Sequence, residues 1–374
     1  MPEPETRRET RRETRQETRE EAREEARRAL ALCNVCDYCS GYCETFVAAG
    51  RRRAFTDGDL TYLANLCHNC RACFHACQFA PPHPFAINLP KVLEQLRQQS
   101  YQELVWPRPW AGAGWAALPM AVAAPLLAAL ILPGDVLFGL HRGPGAFYEV
   151  TPLLSLVATA GLIVALSVVA MTVALVRFWR QTGGGAPMAM LRAIPGALSD
   201  ILSLRNLDGG GHGCNDVDDS FSRLRRWLHH AVFYGFLACL SSTAAAHTYH
   251  HFLGRLAPYP LTSLPVLLGA VGGVGIVVGC VGLASLKALA DPRPNAPDAR
   301  GDGAALLASL FLVAASGLAL LALRETAAMG LLLTTHMGAV IGLLASMPYG
   351  KFMHGPFRAA ALLRAVMERQ RPPV

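Results

Sequence analysis

Eight cysteines fall in two runs of identical spacing, Cys33-x2-Cys36-x2-Cys39-x3-Cys43 and Cys67-x2-Cys70-x2-Cys73-x3-Cys77. Close spacing lets one tight loop reach three corners of an iron–sulfur cubane while a fourth thiolate arrives from elsewhere, and this register holds pairs of [4Fe–4S] clusters. In two-cluster ferredoxins the fourth cysteine of each run crosses to the other cluster. One cluster is therefore expected on Cys33, Cys36, Cys39 and Cys77, the other on Cys67, Cys70, Cys73 and Cys43. Structural zinc also uses C-x2-C pairs but needs only four ligands per site. A disulfide framework belongs to an oxidising compartment, and no secretory segment is expected here.

Histidine supplies a second set of candidate ligands. His229 and His230 precede a long apolar stretch, His247, His250 and His251 follow it, His336 lies amid Leu331, Leu332, Leu333 and Val340, and His354 comes 18 residues later. Ionisable residues inside apolar spans are costly and tend to be functional. Two imidazoles from facing helices can hold a b-type haem at both axial positions.

The elements that position these groups follow from composition. The 374 residues are 52% apolar and 16% charged, with a formal charge of +7. Arg and Glu crowd the first 28 residues, whereas the chain after Trp110 is mostly apolar, which predicts a soluble part joined to a membrane part. The basic residues flank apolar spans rather than forming a stripe with aromatics, so no nucleic-acid partner is expected. Residues 1–29 form a charged tail that repeats Arg-Arg-Glu-Thr with no apolar face, either a solvated helix or disordered. Residues 30–109 form the cluster domain. Glu44 and Gln78 stand where bacterial ferredoxins carry Pro after the fourth cysteine, which argues against the small ββα fold. Thr56-Asp57-Gly58-Asp59 reads as a helix start, and Leu60, Leu63, Ala64 and Leu66, then Leu89, Val92, Leu93 and Leu96, recur at helical spacing. The fold class is all-α: a helical two-cluster ferredoxin domain followed by about six transmembrane helices in residues 110–350, with a basic tail over 351–374.

The six spans are expected at 110–132, 150–176, 227–253, 264–286, 304–323 and 327–347. With the cluster domain in the cytoplasm, the inside loops and tail carry fifteen Lys and Arg, whereas the outside loops carry only Arg142, Arg255 and Arg324. This positive-inside bias predicts an inner-membrane protein with both termini cytoplasmic. Glycines 269, 272, 273, 275 and 279 let the fourth span approach a neighbour closely. If the third and sixth spans face each other antiparallel, one register brings His229 or His230 to His354 and His247 or His250 to His336. A sixth helix running on through Gly350 would put His336 and His354 on one face, roughly 27 Å apart, which suits one or two haem levels. Arg223, Arg225, Arg226 and Lys351 are read as topology anchors or propionate partners. Gly209-Gly210-Gly211-His212-Gly213-Cys214 lacks the Gly-Lys-Ser/Thr of a phosphate loop and reads as a flexible turn or a docking element. Cys239 and Cys280 read as small packing residues.

Several stretches together carry a resemblance. They are residues 33–43 (CNVCDYCSGYC), 65–73 (NLCHNCRAC), 81–88 (PPHPFAIN), 233–236 (FYGF) and 348–355 (PYGKFMHG). With them the chain after about Leu30 resembles the tricarballylate-utilisation protein B family, also called citrate-utilisation protein B. The resemblance implies a membrane electron-transfer protein with two [4Fe–4S] clusters and b haem. It would take electrons from a separate cytoplasmic FAD-dependent dehydrogenase that oxidises tricarballylate to cis-aconitate, and pass them to quinone in the lipid bilayer. A related fused form serves cobalamin synthesis. The family's Tyr-His pattern matches Tyr249-His250 and favours His250 over His247. No Ser/His/Asp set, paired carboxylates or nucleotide motif marks this chain as transforming an organic substrate itself. The alternatives are a membrane subunit of a heterodisulfide-reductase or succinate-dehydrogenase type of oxidoreductase, and a cluster-based redox sensor.

Overall fold

The computed structural model describes residues 5–108, 110, 112–210, 212–296 and 299–371. Of the features singled out above, residues 1–4, Pro109 and Gly211 lie outside the described residues. Among those described, the architecture is helical, with isolated backbone bridges between Gly209 and Gly213 and between Cys214 and Ser222 but no strand.

The chain opens with α1 (Glu5–Cys36), which runs unbroken from the Arg/Glu repeat into the first two cysteines, so no structural boundary falls at residue 29. Ala22, Ala26, Ala29 and Leu30 are buried, a narrow small-residue stripe at helical spacing that replaces the expected all-polar surface. The charged residues beside it anchor the helix: Arg23 meets Glu103 at 3.2 Å and Arg27 pairs with Asp57. Next come α2 (Glu44–Gly50), α3 (Asp57–Leu66), α4 (Ala72–His75) and α5 (Leu89–Glu103). Helix α3 starts where its sequence says it should: the Thr56 side chain and that of Asp59 form a reciprocal capping box. Leu60, Leu63, Leu66, Leu93 and Leu96 join the core between these helices, as their spacing predicts.

The apolar half contains α6 (Ala117–Ile131), the single-turn α7 (Gly134–Leu137) and α8 (Ala146–Val150), α9 (Leu153–Gln181), α10 (Pro187–Leu202), α11 (Leu224–His251), α12 (Leu264–Leu289), α13 (Ala299–Leu323) and α14 (Met329–Ser346). Four segments are long and apolar enough to cross a membrane: Leu153–Gln181, Leu264–Leu289, Gly301–Leu323 and Met329–Tyr349. They correspond to four of the six expected spans. The first expected span holds only the 15-residue α6, about 22 Å long and interrupted by Pro125. The third is the 28-residue α11, long enough, but its five histidines and two arginines dilute its apolar character.

Glycines set the closest helix contacts. A methyl group on Gly272 of α12 would stand 2.6 Å from the Gly235 carbonyl oxygen of α11, and one on Gly279 would stand 2.8 Å from that of Leu228. Gly273 faces the other way, against Leu318 of α13. Gly342 of α14 lies equally close to the backbone of α6 at Ala116.

Two expectations fail at the end of the chain. The last spanning helix does not run on through Gly350: α14 ends at Ser346, and two 3-10 turns, Met347–Tyr349 and Lys351–Met353, follow around the extended Gly350. Pro348 removes a helical donor at this point. The expected basic tail is instead α15 (His354–Arg369), which buries Phe357, Ala361, Leu362 and Ala365 in the core of the cysteine domain. Phe357 stacks on Phe178 of α9 at 4.8 Å between ring centroids and lies 5.9 Å from Tyr101 of α5. One ring thus joins the cysteine domain, a spanning helix and the C-terminal helix. Phe357→Ala is expected to destabilise the detergent-solubilised protein by about 3–5 kcal/mol; an unfolding midpoint unchanged in a denaturant titration would show that this contact carries no such load.

Candidate functional site

Each cysteine run sits where a helix stops. Cys33 and Cys36 end α1, Cys39 follows in a turn, and Cys43 is the N-cap of α2. Cys67 caps the C-terminus of α3, Cys73 lies in α4, and Cys77 follows it. The residue after the second cysteine of each run, Asp37 or Arg71, adopts a left-handed conformation, φ 55° and 65° respectively. This left-handed turn lets a short loop bring its cysteines to the wall of one cavity, and such strain clusters at functional sites. Arg71 is held in it by Asp216, whose carbonyl accepts at 2.6 Å, and by Asn295 at 2.7 Å.

The fourth cysteines cross over. Cys33, Cys36, Cys39 and Cys77 line one cavity of about 230 Å3, with Phe74 and Phe79 beside them. Cys43, Cys67, Cys70 and Cys73 line a second, tighter one of about 20 Å3 together with Tyr42 and Asn206. Cys73 and Phe46 border both cavities, so the two sites adjoin. Burial, reinforced by Cys77, pushes the Cys33 and Cys39 thiols up to about 12. Burial and Cys67 push Cys43 up to about 11, and burial with Cys43 raises Cys70. Four crowded thiols therefore stay protonated unless a cationic centre compensates their charge, which is the chemistry of a metal-thiolate donor set. Eight thiols in two sets exceed the four ligands of a single zinc site, and each set of four has the donor chemistry of an iron–sulfur cluster.

The two sites differ in exposure. Cys36 is exposed at the outer one, beside Val35 and Tyr38. The inner one is covered by the segment joining α10 to α11. There Gly209 approaches Cys70 and Gly210 lies over the Tyr42 ring, and a methyl group on either would be 3.3–3.4 Å from them. The Asn215 amide donates to the Cys70 carbonyl at 2.9 Å. The Gly-rich stretch is thus a cover whose glycines permit close backbone approach. Sequence reading missed α10, the covering position of this stretch, and Arg97 and Arg358, and it took Arg225 as a topology anchor or propionate partner. Arg97 and Arg358 donate to the Cys67 carbonyl at 2.7 and 2.9 Å, and Arg225 donates to that of Asn69 at 2.7 Å. Their only sequence signal was position: Arg225 and Arg358 lie four residues from His229 and His354, one turn away.

His229 and His354 do come together, with ring centroids 6.2 Å apart and planes at 62°. His354 Nδ1 lies 2.5 Å from the Lys351 carbonyl, which fixes it as the donor and leaves Nε2 with a lone pair. Burial, with Arg358 next to it, holds His354 well below the ordinary histidine pKa, hence neutral. His229 Nδ1 is buried without a partner. A pair of neutral facing imidazoles fits axial ligation. His230 points elsewhere, 3.2 Å from the Ser203 carbonyl and beside Trp227 and Tyr234. The outer pairing is not formed: His336 Nδ1 lies 3.1 Å from Ser316 Oγ of α13, while His250 sits against Tyr148 and His251. The physical reason is that α11 packs on α12 and α14 packs on α6 and α13, so the assumed α11–α14 register does not apply.

Of the inner-surface cations, Arg223 and Arg226 pair with Asp208 rather than standing open to a ligand. Lys351 is pushed down to about 8 by burial. Cys239 and Cys280 pack between α11, α12 and α13, as expected of small residues. Because the fourth ligands cross, Cys77→Ser should deplete the centre of the first run and Cys43→Ser that of the second. Iron counts and EPR of anaerobically purified variants check this, and depletion within the same run would refute it.

Comparisons with known proteins identify the family. Residues 112–374 match the family model described as Citrate utilization protein B, and residues 26–103 match its Fer4-like domain. A curated relative, Citrate utilization protein B of Escherichia coli, is 40% identical over 355 residues and covers 92% of each chain. No solved structure matches the chain. With both its Fer4-like cysteine domain and its apolar helical region matched, the chain belongs to the citrate utilization protein B family.

Proposed function

We propose that this protein is an electron conduit in the inner membrane. A cytoplasmic FAD-dependent dehydrogenase, of the kind that oxidises tricarballylate, delivers electrons to a [4Fe–4S] cluster on Cys33, Cys36, Cys39 and Cys77. Cys67, Cys70, Cys73 and Cys43 would hold a second cluster as the next one-electron acceptor, and His229 and His354 would hold b-type haem as the carrier into the bilayer, where quinone would be reduced. The observation that carries this reading is the order of the sites. The cavity of the first set, which includes the exposed Cys36, shares Cys73 and Phe46 with the cavity of the second, and the second set is tied through Arg225 and Arg358 to the two helices that carry His229 and His354.

Reduced flavin gives up two electrons, while each cluster carries one, so a chain of such centres splits the step. Two successive transfers reduce one quinone with two protons. When bound, haem would add a one-electron carrier at the membrane surface. The protein's own residues do the rest: the neutral imidazoles supply ligands, and the Lys351 carbonyl orients one of them. Substrate chemistry belongs to the flavoprotein partner, and the relative's name points to a tricarboxylic acid.

The positive-inside distribution supports cytoplasmic termini, and α11, about 42 Å long, is long enough to cross beside the four apolar helices. Adding α11 and α6 completes the six-helix arrangement. Purified wild-type protein should show a b-type absorbance band that His354→Ala and His229→Ala remove and His230→Ala keeps. In stopped-flow mixing with a reduced flavoprotein, cluster bleaching should precede haem reduction. Clusters that reduce while the haem never follows would sink the conduit.

A further inference from the structure

The two cysteine sites sit in different electrostatic surroundings. Around the inner one, Arg97 donates to the Cys67 carbonyl at 2.7 Å and to that of Ala64 at 3.2 Å. Arg358 donates to the same Cys67 oxygen at 2.9 Å and to that of Asn65 at 3.3 Å. Arg225 grips the next two carbonyls, of His68 at 3.2 Å and Asn69 at 2.7 Å. The Asn69 amide also donates to Cys67 Sγ at 3.4 Å. The countercharge is incomplete. Asp216 is shared between Arg225 at 3.4 Å and Arg71 at 3.8 Å, and Glu94 lies 3.9 Å from Arg97. Among the described residues no carboxylate pairs with Arg358. Around the outer site, among the described residues no guanidinium donates to residues 33–39 or 77–79, and Val35 and Tyr38 are 87% and 64% exposed.

A reduced centre carries one more negative charge than an oxidised one. Fixed cations and hydrogen bonds to the ligand loop therefore favour reduction, more strongly where water is excluded. We infer that Arg225 and Arg358, backed by Arg97, are positioning residues that set the inner centre, on Cys43, Cys67, Cys70 and Cys73, at a higher reduction potential than the outer one and so fix electron flow toward the membrane. This rests on the iron–sulfur reading of both sites. In the step, one electron leaves the reduced outer centre and reduces the inner one; no bond or proton is exchanged.

The test is an EPR-monitored potentiometric titration of the whole protein, purified anaerobically in detergent. A water-soluble dysprosium chelate identifies the outer centre by its enhanced relaxation. In the wild type the inner, shielded centre should titrate at the higher midpoint; the reverse order overturns the inference without needing any variant. In Arg225→Gln and Arg358→Gln the inner midpoint should fall enough to shift the electron's partition toward the outer centre about tenfold, about 59 mV for a one-electron couple. The outer midpoint should stay in place, and Arg225→Lys should recover most of the shift. No fall in either variant, or an equal fall at both centres, overturns the inference. Absence of any iron–sulfur signal in the wild type would instead remove the conduit itself, so the two failures are distinguishable.

Discussion

Three guanidinium groups from three different helices converge on carbonyl oxygens at the end of α3 and the turn that follows it, residues 64–69, and the rest of the molecule is arranged around that meeting. A helix C-terminus leaves its last carbonyls unpaired. At the end of α3 those orphan groups are answered by Arg97 of the cysteine domain, Arg225 at the start of α11 and Arg358 in α15. The same bonds that satisfy the backbone also seat the soluble domain on the helical region. Burying cations is costly unless they are hydrogen-bonded, and these bonds are direct and short. That is why the positions of α11 and α15 are set relative to Cys67 rather than left to a flexible tether.

Much of this was legible in the residues, and the rest was hidden for identifiable reasons. The grouping of each fourth cysteine with the other run around one cavity could be read because cysteine spacing is a local geometric demand that survives any arrangement of the surrounding helices. The Thr56–Asp59 capping box and the glycine face of α12 were legible on the same ground, since each depends on a few neighbouring residues. The histidine register depended instead on which helices are neighbours, and periodicity does not encode that. It put His336 opposite His250, whereas α14 turns His336 toward Ser316 of α13. The inner pairing emerged for a different reason than the register supposed: His354 begins a new helix that returns to the cysteine domain. Helix α15 and the end of α1 were misjudged because small residues such as Ala26 and Ala361 bury well without looking apolar in a charged stretch.

The segment joining α10 to α11 shows how an unremarkable sequence acquires a role from its surroundings. Read alone, a run of glycines with one histidine and one cysteine is a turn. Packed against Tyr42 and Cys70, it lies over the second set of thiols, and the absence of side chains is what permits the fit. Among the described residues no comparable stretch lies over the first set, where Cys36 is exposed while the thiols of the second set are all partly buried.

The aromatic contact of Phe357 has a consequence for how the molecule is made. Its ring completes the interior of a domain encoded near the beginning of the chain, yet it leaves the ribosome only after every membrane-crossing helix has been translated. The N-terminal domain therefore cannot finish its core during early synthesis. Its last interior ring arrives with the C-terminal helix, so completion of the first domain waits on synthesis of the whole apolar region.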